Sequence, residues 1–203
     1  MKRLGLAVLI LLSVCSCRTD DDIVQPYITD LDRQARTEVV GMYVLCEGNM
    51  GSNKATLDFL DLSGDTARYM KNIFPSRNPS QVMMLGDVGN DAKIYGNRLW
   101  LVINCSNKVE VCTADSAFSL GHVDVPNCRY VCFDGGYAYV SSYVGGVGEN
   151  SVLGSVYKVD TLTLRVTGRC TVGYQPEEMA ILGDRLYVAN SGGYQGMTGQ
   201  GYE

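Results

Sequence analysis

The sequence predicts an all-β protein, a β-propeller of four-stranded blades, because one block of residues recurs along the chain. Residues 178–193 read EMAILGDRLYVANSGG, which is an apolar run, a Gly-Asp turn, a second apolar run and a glycine-rich loop. Residues 91–104 (DAKIYGNRLWLVIN) and 129–142 (RYVCFDGGYAYVSS) have the same design. Strand-based repeats of about 40–50 residues are typical of propeller blades.

The spacing of the repeat supports this fold. If Leu99, Tyr137 and Leu186 are aligned, successive blades are 38 and 49 residues apart. In that alignment, a charged residue stands eight positions before each of the three: Asp91, Arg129 and Glu178. The longer interval is explained by the loop at 142–154, which is longer than its counterpart at 104–107. The charged residues are therefore expected at the channel mouth, at the start of the innermost strands.

Composition agrees with many short strands joined by glycine turns. The 203 residues include 23 Gly and 13 Tyr but 5 Pro, and 46% of the chain is hydrophobic, which is enough for a packed core. The net charge is −5 and no basic patch is present. Nucleic acid is therefore not an expected partner.

The N-terminal residues predict a lipoprotein rather than part of the fold. Residues 1–17 have a basic start, an apolar stretch at 4–12 and the ending SVCSC, which resembles a bacterial lipobox. We expect cleavage before Cys17 and lipidation of Cys17, because the small residue Ser16 precedes it. An ordinary cleaved signal peptide is the alternative. Two or more acyl chains would make anchoring to a membrane stable.

Residues 18–36 are polar and mixed in charge, and they predict a flexible acidic tether. The acidic cluster at 20–22 resembles the surface-export signal of lipoproteins in the Bacteroides group. A merely solvated tether is the alternative. The propeller domain is then expected to span 37–203.

The strands of this domain follow from short apolar or alternating runs bounded by turn residues. Before the first full repeat, strands are predicted at 39–46, 56–61 and 67–70, followed by a Pro-broken connection at 74–80. The four strands A to D of the next two blades are predicted at 92–95, 99–103, 108–112 and 117–125, and at 130–133, 137–141, 155–160 and 164–172. Strands A and B of the last blade are predicted at 178–182 and 185–190.

These strands make about three to four blades, whereas a closed ring typically has four to eight. An open ring leaves unpaired strand edges. We therefore expect the 203 residues to be the N-terminal part of a longer protein. A truncated gene and a small sandwich are the alternatives.

Ligand binding is expected on the face where the B–C and D–A loops emerge together. Loops on a rigid scaffold commonly carry binding residues, and these loops are rich in Asn, Ser, Gly and Tyr, which suit a neutral or polyhydroxylated ligand. The alternative is that these residues only satisfy turns. The candidate ligand-binding residues are Asn49, Asn53, Asn104, Asn107, Arg129, Tyr143, Tyr174, Glu178, Asn190 and Tyr194.

No catalytic or metal-binding set is visible in the sequence. The single histidine, His122, lies at a predicted turn, and no Cys pair has the spacing of a zinc site. Six cysteines remain besides Cys15 and Cys17, and most are expected to be buried apolar residues, with Cys105 and Cys112 as a possible pair. The sequence thus predicts no enzyme, no metal and no cofactor.

The chain also resembles a known family. The motif LYVANSG at 186–192, and the block VGYQPEEMAILGDRLYVAN at 172–190, are similar to the YVTN/YncE-like β-propellers, which have a Pro near the start of strand A, a Gly-Asp/Asn turn and a YVxN strand B. Pro126 and Pro176 match the first element. From about residue 40 onward, the chain resembles the surface lipoprotein branch of this family in Bacteroidota.

This resemblance implies a function that the residues alone do not. BtuG-type members of the branch are seven-bladed propellers that capture cobalamin at the cell surface and pass it to a TonB-dependent outer-membrane transporter. It therefore implies a lipid-anchored, surface-exposed outer-membrane protein that binds a small nutrient such as cobalamin. A surface scaffold that binds glycans or proteins is one alternative. A propeller enzyme, either a lyase or a quinone-dependent dehydrogenase, is the other.

Overall fold

The computed structural model describes residues 28–31 (as backbone), 39–81, 84–148 and 151–193. The predicted signal peptide, the predicted lipidation site Cys17 and the candidate Tyr194 lie outside these residues. Within the described part of the chain, no helix is long and apolar enough to cross a membrane.

The described residues form three four-stranded antiparallel sheets and one two-stranded sheet. The first has the order β1-β4-β3-β2, with β1 Ile28–Leu31, β2 Gly41–Cys46, β3 Thr56–Asp61 and β4 Ala67–Met70. The second has the order β5-β6-β7-β8, with β5 Gly89–Tyr95, β6 Arg98–Ile103, β7 Lys108–Thr113 and β8 Ser119–Asp124. The third contains β9 Cys128–Asp134, β10 Tyr137–Ser142, β11 Leu153–Asp160 and β12 Val166–Tyr174, and the last pairs β13 Pro176–Leu182 with β14 Arg185–Asn190.

The sheets follow one another as blades. The strands β2, β5, β9 and β13, one from each sheet, contact each other in that order. Each of the second and third sheets is a simple meander in which consecutive strands pair. This arrangement confirms the predicted all-β fold, an incomplete propeller of four-stranded blades. Seven blades for a full-length protein stay a prediction.

Strand β1 lies inside the segment 18–36 that the sequence predicts as a tether. Its backbone pairs with β4 from Ile28↔Met70 to Leu31↔Ala67, so these four residues belong to the first sheet. The physical reason is that β4 would otherwise leave a row of backbone groups unpaired at the sheet edge. Four residues with little apolar pattern carry too weak a signal to be recognised as a strand.

The predicted Pro-broken connection after β4 contains one short helix, α1, at Ile73–Arg77. Pro75 is in its first turn, where the missing N–H would have no partner within the helix. Ile73 and Phe74 are buried against the first and second sheets. The proline therefore shaped this connection without preventing a helical turn.

The core consists of two apolar clusters, one on each face of the second sheet. Strand β6 is buried along almost its whole length because its side chains alternate between the two clusters. Trp100 and Val102 pack toward the third sheet, whereas Leu101 and Ile103 pack toward the first. The apolar run LWLVI is thus a strand covered on both faces by neighbouring blades.

The hairpins between the first two strands of three blades correct the sequence alignment by one residue. The closing pairs are Tyr95↔Arg98, Asp134↔Tyr137 and Leu182↔Arg185. Tyr137 is therefore the counterpart of Arg98 and Arg185, not of Leu99 and Leu186. The intervals between blades become 39 and 48 residues.

This shift changes which charged residues are equivalent. Counted from the hairpins, Arg129 matches Asn90 and Glu177, whereas Asp91 and Glu178 match Tyr130. Because side chains alternate along a strand, a shift of one residue moves a side chain to the other face. The prediction that Asp91, Arg129 and Glu178 share one position is therefore wrong for Arg129.

All six described cysteines are free thiols. Burial raises the pKa of Cys112 and the pKa of Cys128 to about 12 each, so both behave as apolar core residues. The predicted pair of Cys105 and Cys112 does not form. Cys105 is exposed on a loop, whereas Cys112 is on β7, where it pairs with Leu99 of β6.

Candidate functional site

The loops of the predicted binding face are linked by a backbone hydrogen bond that recurs in three blades. Val88, Asn127 and Gln175 each stand just before the first strand of a blade, and their φ angles are 60°, 42° and 49°. Their carbonyl oxygens accept the backbone N–H of the residue that follows the second strand: Asn104, Tyr143 and Ser191, at 2.8, 3.1 and 3.1 Å. In each of these three blades, the hydrogen bond joins the D–A connection that leads into the blade to the B–C loop of that blade. The two kinds of loop therefore lie side by side, as predicted for the binding face.

A cavity of about 930 Å³ opens on this face. Ligand pockets commonly have volumes of about 300–1,000 Å³. The lining residues come from the loops of three blades: Met50; Asn104, Cys105 and Asn107; Asn127 and Arg129; and residues 143–148. Arg129 is the one charged side chain among these lining residues.

Asn127 connects the walls of this cavity. Its backbone N–H donates to Asn107 Oδ1 at 2.7 Å, and its Nδ2 donates to the carbonyl oxygen of Gly145 at 2.7 Å. Its Oδ1 accepts from Asn104 Nδ2 at 2.7 Å. One residue thus joins the loop at 104–107 to the loop at 143–148.

Arg129 is paired across the boundary between the third and fourth blades. Its Nε donates to Glu177 Oε2 at 3.0 Å, and the hydroxyl of Tyr143 donates to the other oxygen, Oε1. The guanidinium carbon lies 4.9 Å from the centre of the Tyr143 ring, a cation–π contact. Asn90 Nδ2, at the equivalent position one blade earlier, donates to the Arg129 carbonyl oxygen at 2.6 Å.

The environment keeps this arginine charged. Burial works against the charge, but the hydrogen bond and the charge of Glu177, together with the oxygens of Tyr143 and Tyr130, outweigh burial and raise the pKa of Arg129 above its ordinary value. The positive charge at the cavity is therefore permanent and is balanced by the carboxylate of Glu177.

Four of the candidate residues meet at the cavity: Asn104, Asn107, Arg129 and Tyr143. Asn104 is 5% exposed, and its amide group already donates to Asn127 Oδ1 and to the Cys128 carbonyl oxygen. Its role is therefore to hold the loops. Arg129 and Asn107 are the members of the candidate set best placed to face a ligand, whereas Tyr143 is also 5% exposed and supports Arg129 from within the cavity wall.

Asn49 and Asn53 are exposed in the loop between β2 and β3 but do not line the cavity. The carboxylate of Asp87 holds this loop, accepting the N–H of Gly51 at 2.7 Å and that of Asn53 at 3.2 Å. Met50, between the two asparagines, is the residue of this loop that reaches the cavity, and it is 79% exposed.

Three further candidates are not at the cavity. Tyr174 ends β12, and Asn190 ends β14, where it packs close to Gly173. Glu178 is exposed on β13. The carboxylate that reaches Arg129 belongs to Glu177, the residue that matches Arg129 when the blades are aligned from their hairpins.

The list of candidate ligand-binding residues predicted from the sequence omits Met50, Asn127 and Glu177. If the blades are aligned at the Gly-containing hairpins instead of at the apolar residues, Glu177 matches Arg129 and Pro176 matches Cys128. This alignment would have found Glu177. Asn127 carries a weaker signal, an asparagine just before a strand, which is compatible with a left-handed residue. No sequence signal marks Met50.

Comparisons with known proteins give distant matches among solved structures. No family model and no curated protein matches the chain. Among solved structures, hydrazine synthase of Kuenenia stuttgartiensis is similar over 69% of this chain and 36% of that one, with 15% identity and a TM-score of 0.48. A europium-containing methanol dehydrogenase is similar over 66% of this chain and 23% of that one, with 14% identity and a TM-score of 0.46.

The prediction that the chain is not an enzyme is contradicted by these comparisons, because both similar proteins are named as enzymes. This chain spans 36% of the length of the hydrazine synthase chain and 23% of the length of the methanol dehydrogenase chain. At such low identity these matches transfer no activity to this chain. Within the described residues, no group of three or more His, Cys, Asp or Glu side chains is arranged to hold a metal ion.

Proposed function

We propose that the loop face binds a small nutrient molecule in the cavity between the loops at 104–107 and 143–148, and that a corrinoid such as cobalamin is the first candidate. The observation that carries this proposal is the cavity itself, which gathers side chains from three blades on one face. The resemblance of the sequence to corrinoid-capturing surface lipoproteins supports the choice of ligand.

The chemistry of the lining fits a bulky ligand with an apolar body and polar, uncharged edges. Met50 is 79% exposed and Val147 is 53% exposed, so two apolar side chains from different blades stand open at the rim. Asn107 and the glycine-rich backbone at 145–148 offer hydrogen-bonding groups beside them. Pockets of this kind commonly combine an apolar lining with a few placed polar groups.

Isothermal titration of the protein with cyanocobalamin tests the proposal directly. We expect saturable heat at micromolar ligand. A flat titration would remove corrinoids as the ligand, and a parallel screen of neutral oligosaccharides would then test the remaining uncharged ligands.

Replacement of Tyr143 by alanine is expected to weaken ligand binding about tenfold. The Tyr143 ring is part of the cavity wall, packs against Arg129 and donates its hydroxyl to Glu177, so its loss leaves Arg129 and the loop at 143–148 less fixed. Titration calorimetry of the variant measures the change in Kd. Tyr187→Ala is the matched control, because Tyr187 is 52% exposed on β14, outside the cavity lining. Equal affinities for both variants would place the site elsewhere.

We also propose that Cys17 carries a lipid that anchors the protein in the outer membrane, where it delivers its ligand to a TonB-dependent transporter. The lipobox-like ending SVCSC supports this. Cells fed a clickable fatty acid should label the wild-type protein, and Cys17→Ala should abolish the label while Cys15→Ala keeps it. Labelling of the Cys17→Ala protein would contradict the anchor, and failure of a transporter to co-purify from outer membranes would contradict delivery.

A further inference from the structure

We propose that Glu177 determines the charge class of the ligand: it neutralises Arg129, so that the cavity accepts uncharged groups and disfavours anions. The inference rests on the proposed function, since it concerns the same cavity. It adds a specificity-determining residue that does not itself line the cavity.

The geometry supports this role. Arg129 is the one charged residue in the described cavity lining, and its Nε is bonded to Glu177 Oε2 at 3.0 Å. The second carboxylate oxygen, Oε1, accepts the hydroxyl of Tyr143, another lining residue. Both oxygens of Glu177 are thus directed at residues that form the cavity wall.

An arginine beside glycine-rich backbone would otherwise attract anions. Arginine presents several N–H donors that match carboxylate and phosphate oxygens, and such charge-assisted hydrogen bonds are among the strongest in proteins. Here the partner carboxylate is supplied by the next blade of the same chain. An anionic ligand would have to displace Glu177 or bind beside its negative charge, and both cost free energy.

The pair is partly open to a ligand. The side chains of Arg129 and Glu177 are 21% and 25% exposed, and Arg129 lines the cavity, so a bound molecule can meet the charge of this pair. Glu178, one residue along the same strand, is exposed and is not among the lining residues of the cavity. The chain therefore has one carboxylate at the cavity wall and an adjacent one away from it, which makes a matched pair for experiment.

The test compares Glu177→Gln with Glu178→Gln, using pyrophosphate as the anionic probe in titration calorimetry. Both variants lose one negative charge, but Glu177→Gln leaves the charge of Arg129 unbalanced at the cavity. We expect Glu177→Gln to bind pyrophosphate roughly tenfold or more tightly than wild type, and Glu178→Gln to bind it like wild type. Adding Arg129→Gln to Glu177→Gln should abolish the gain.

Equal pyrophosphate affinity for wild type, Glu177→Gln and Glu178→Gln would overturn the inference. Circular dichroism shows whether Glu177→Gln folds. If it does not fold, Arg129→Gln tests the same idea with the opposite charge, because it leaves the carboxylate of Glu177 unbalanced. This variant should bind the cation spermidine more tightly than wild type does. No gain for spermidine would also overturn the inference. Titration with cyanocobalamin reports separately on the proposed function, so its failure is distinguishable from a failure of the charge effect.

Discussion

Replacing Trp100 by alanine is expected to lower the free energy of unfolding by about 3–5 kcal/mol, the usual cost of removing a large buried aromatic side chain. Trp100 is 0% exposed on β6 and belongs to the cluster between the second and third sheets. Its ring meets Phe133 of the third sheet edge-to-face, with 5.4 Å between centroids. Its loss leaves a cavity at the contact between two blades, where backbone pairing does not compensate.

Urea unfolding followed by far-ultraviolet circular dichroism measures this effect, because the variant lacks the single tryptophan of the chain. Trp100→Phe keeps an aromatic ring and should cost less. Leu182→Ala removes an apolar side chain that is 72% exposed and should change stability by about 0.5 kcal/mol or less. A loss below about 1 kcal/mol for Trp100→Ala would mean that the two blades do not pack through this residue.

The sequence predicted the strands well wherever local pattern and burial agree. The run at 185–190 was placed with the bounds that β14 has, and the run at 99–103 lies within β6. In both, a short apolar run lies between a glycine turn and a polar loop, and these two boundaries mark the ends of the strand. The loop face was also predictable, because a meander of four strands places alternate connections on the same side.

The remaining features depend on contacts between distant residues. Strand β1 is recognised by its pairing with β4, not by its own composition. The exchange of Glu178 for Glu177 has a different origin: the apolar residues were aligned instead of the hairpins, which shifts the alignment by one residue and moves each side chain to the other face of its strand. The role of Met50 depends on how three blades meet. Sequence patterns report local preference, whereas these positions follow from tertiary geometry.

Asn127 illustrates why the cavity needs more than residues that touch a ligand. Its φ of 42° turns the chain into β9, and its amide group bridges the carbonyl oxygen of Gly145 and the side chain of Asn104. We expect Asn127→Gly to keep the backbone turn but lose both side-chain hydrogen bonds, at a cost of about 1–3 kcal/mol. Asn127→Ala should cost about 1 kcal/mol more, because alanine is strained at this φ.

The two variants separate the turn from the bridge. Hydrogen exchange at the backbone amides of Tyr143 and Gly145 should become faster in both, since the loop at 143–148 is then held at one point fewer. Ligand affinity should fall about tenfold in both variants, although their free energies of unfolding differ. The reason is that binding depends on the position of the loop at 143–148, which both variants disturb in the same way. If Asn127→Gly retained slow exchange and full affinity, the bridge would be dispensable. The cavity would then be shaped by the backbone hydrogen bond between Tyr143 and the Asn127 carbonyl oxygen, which glycine preserves.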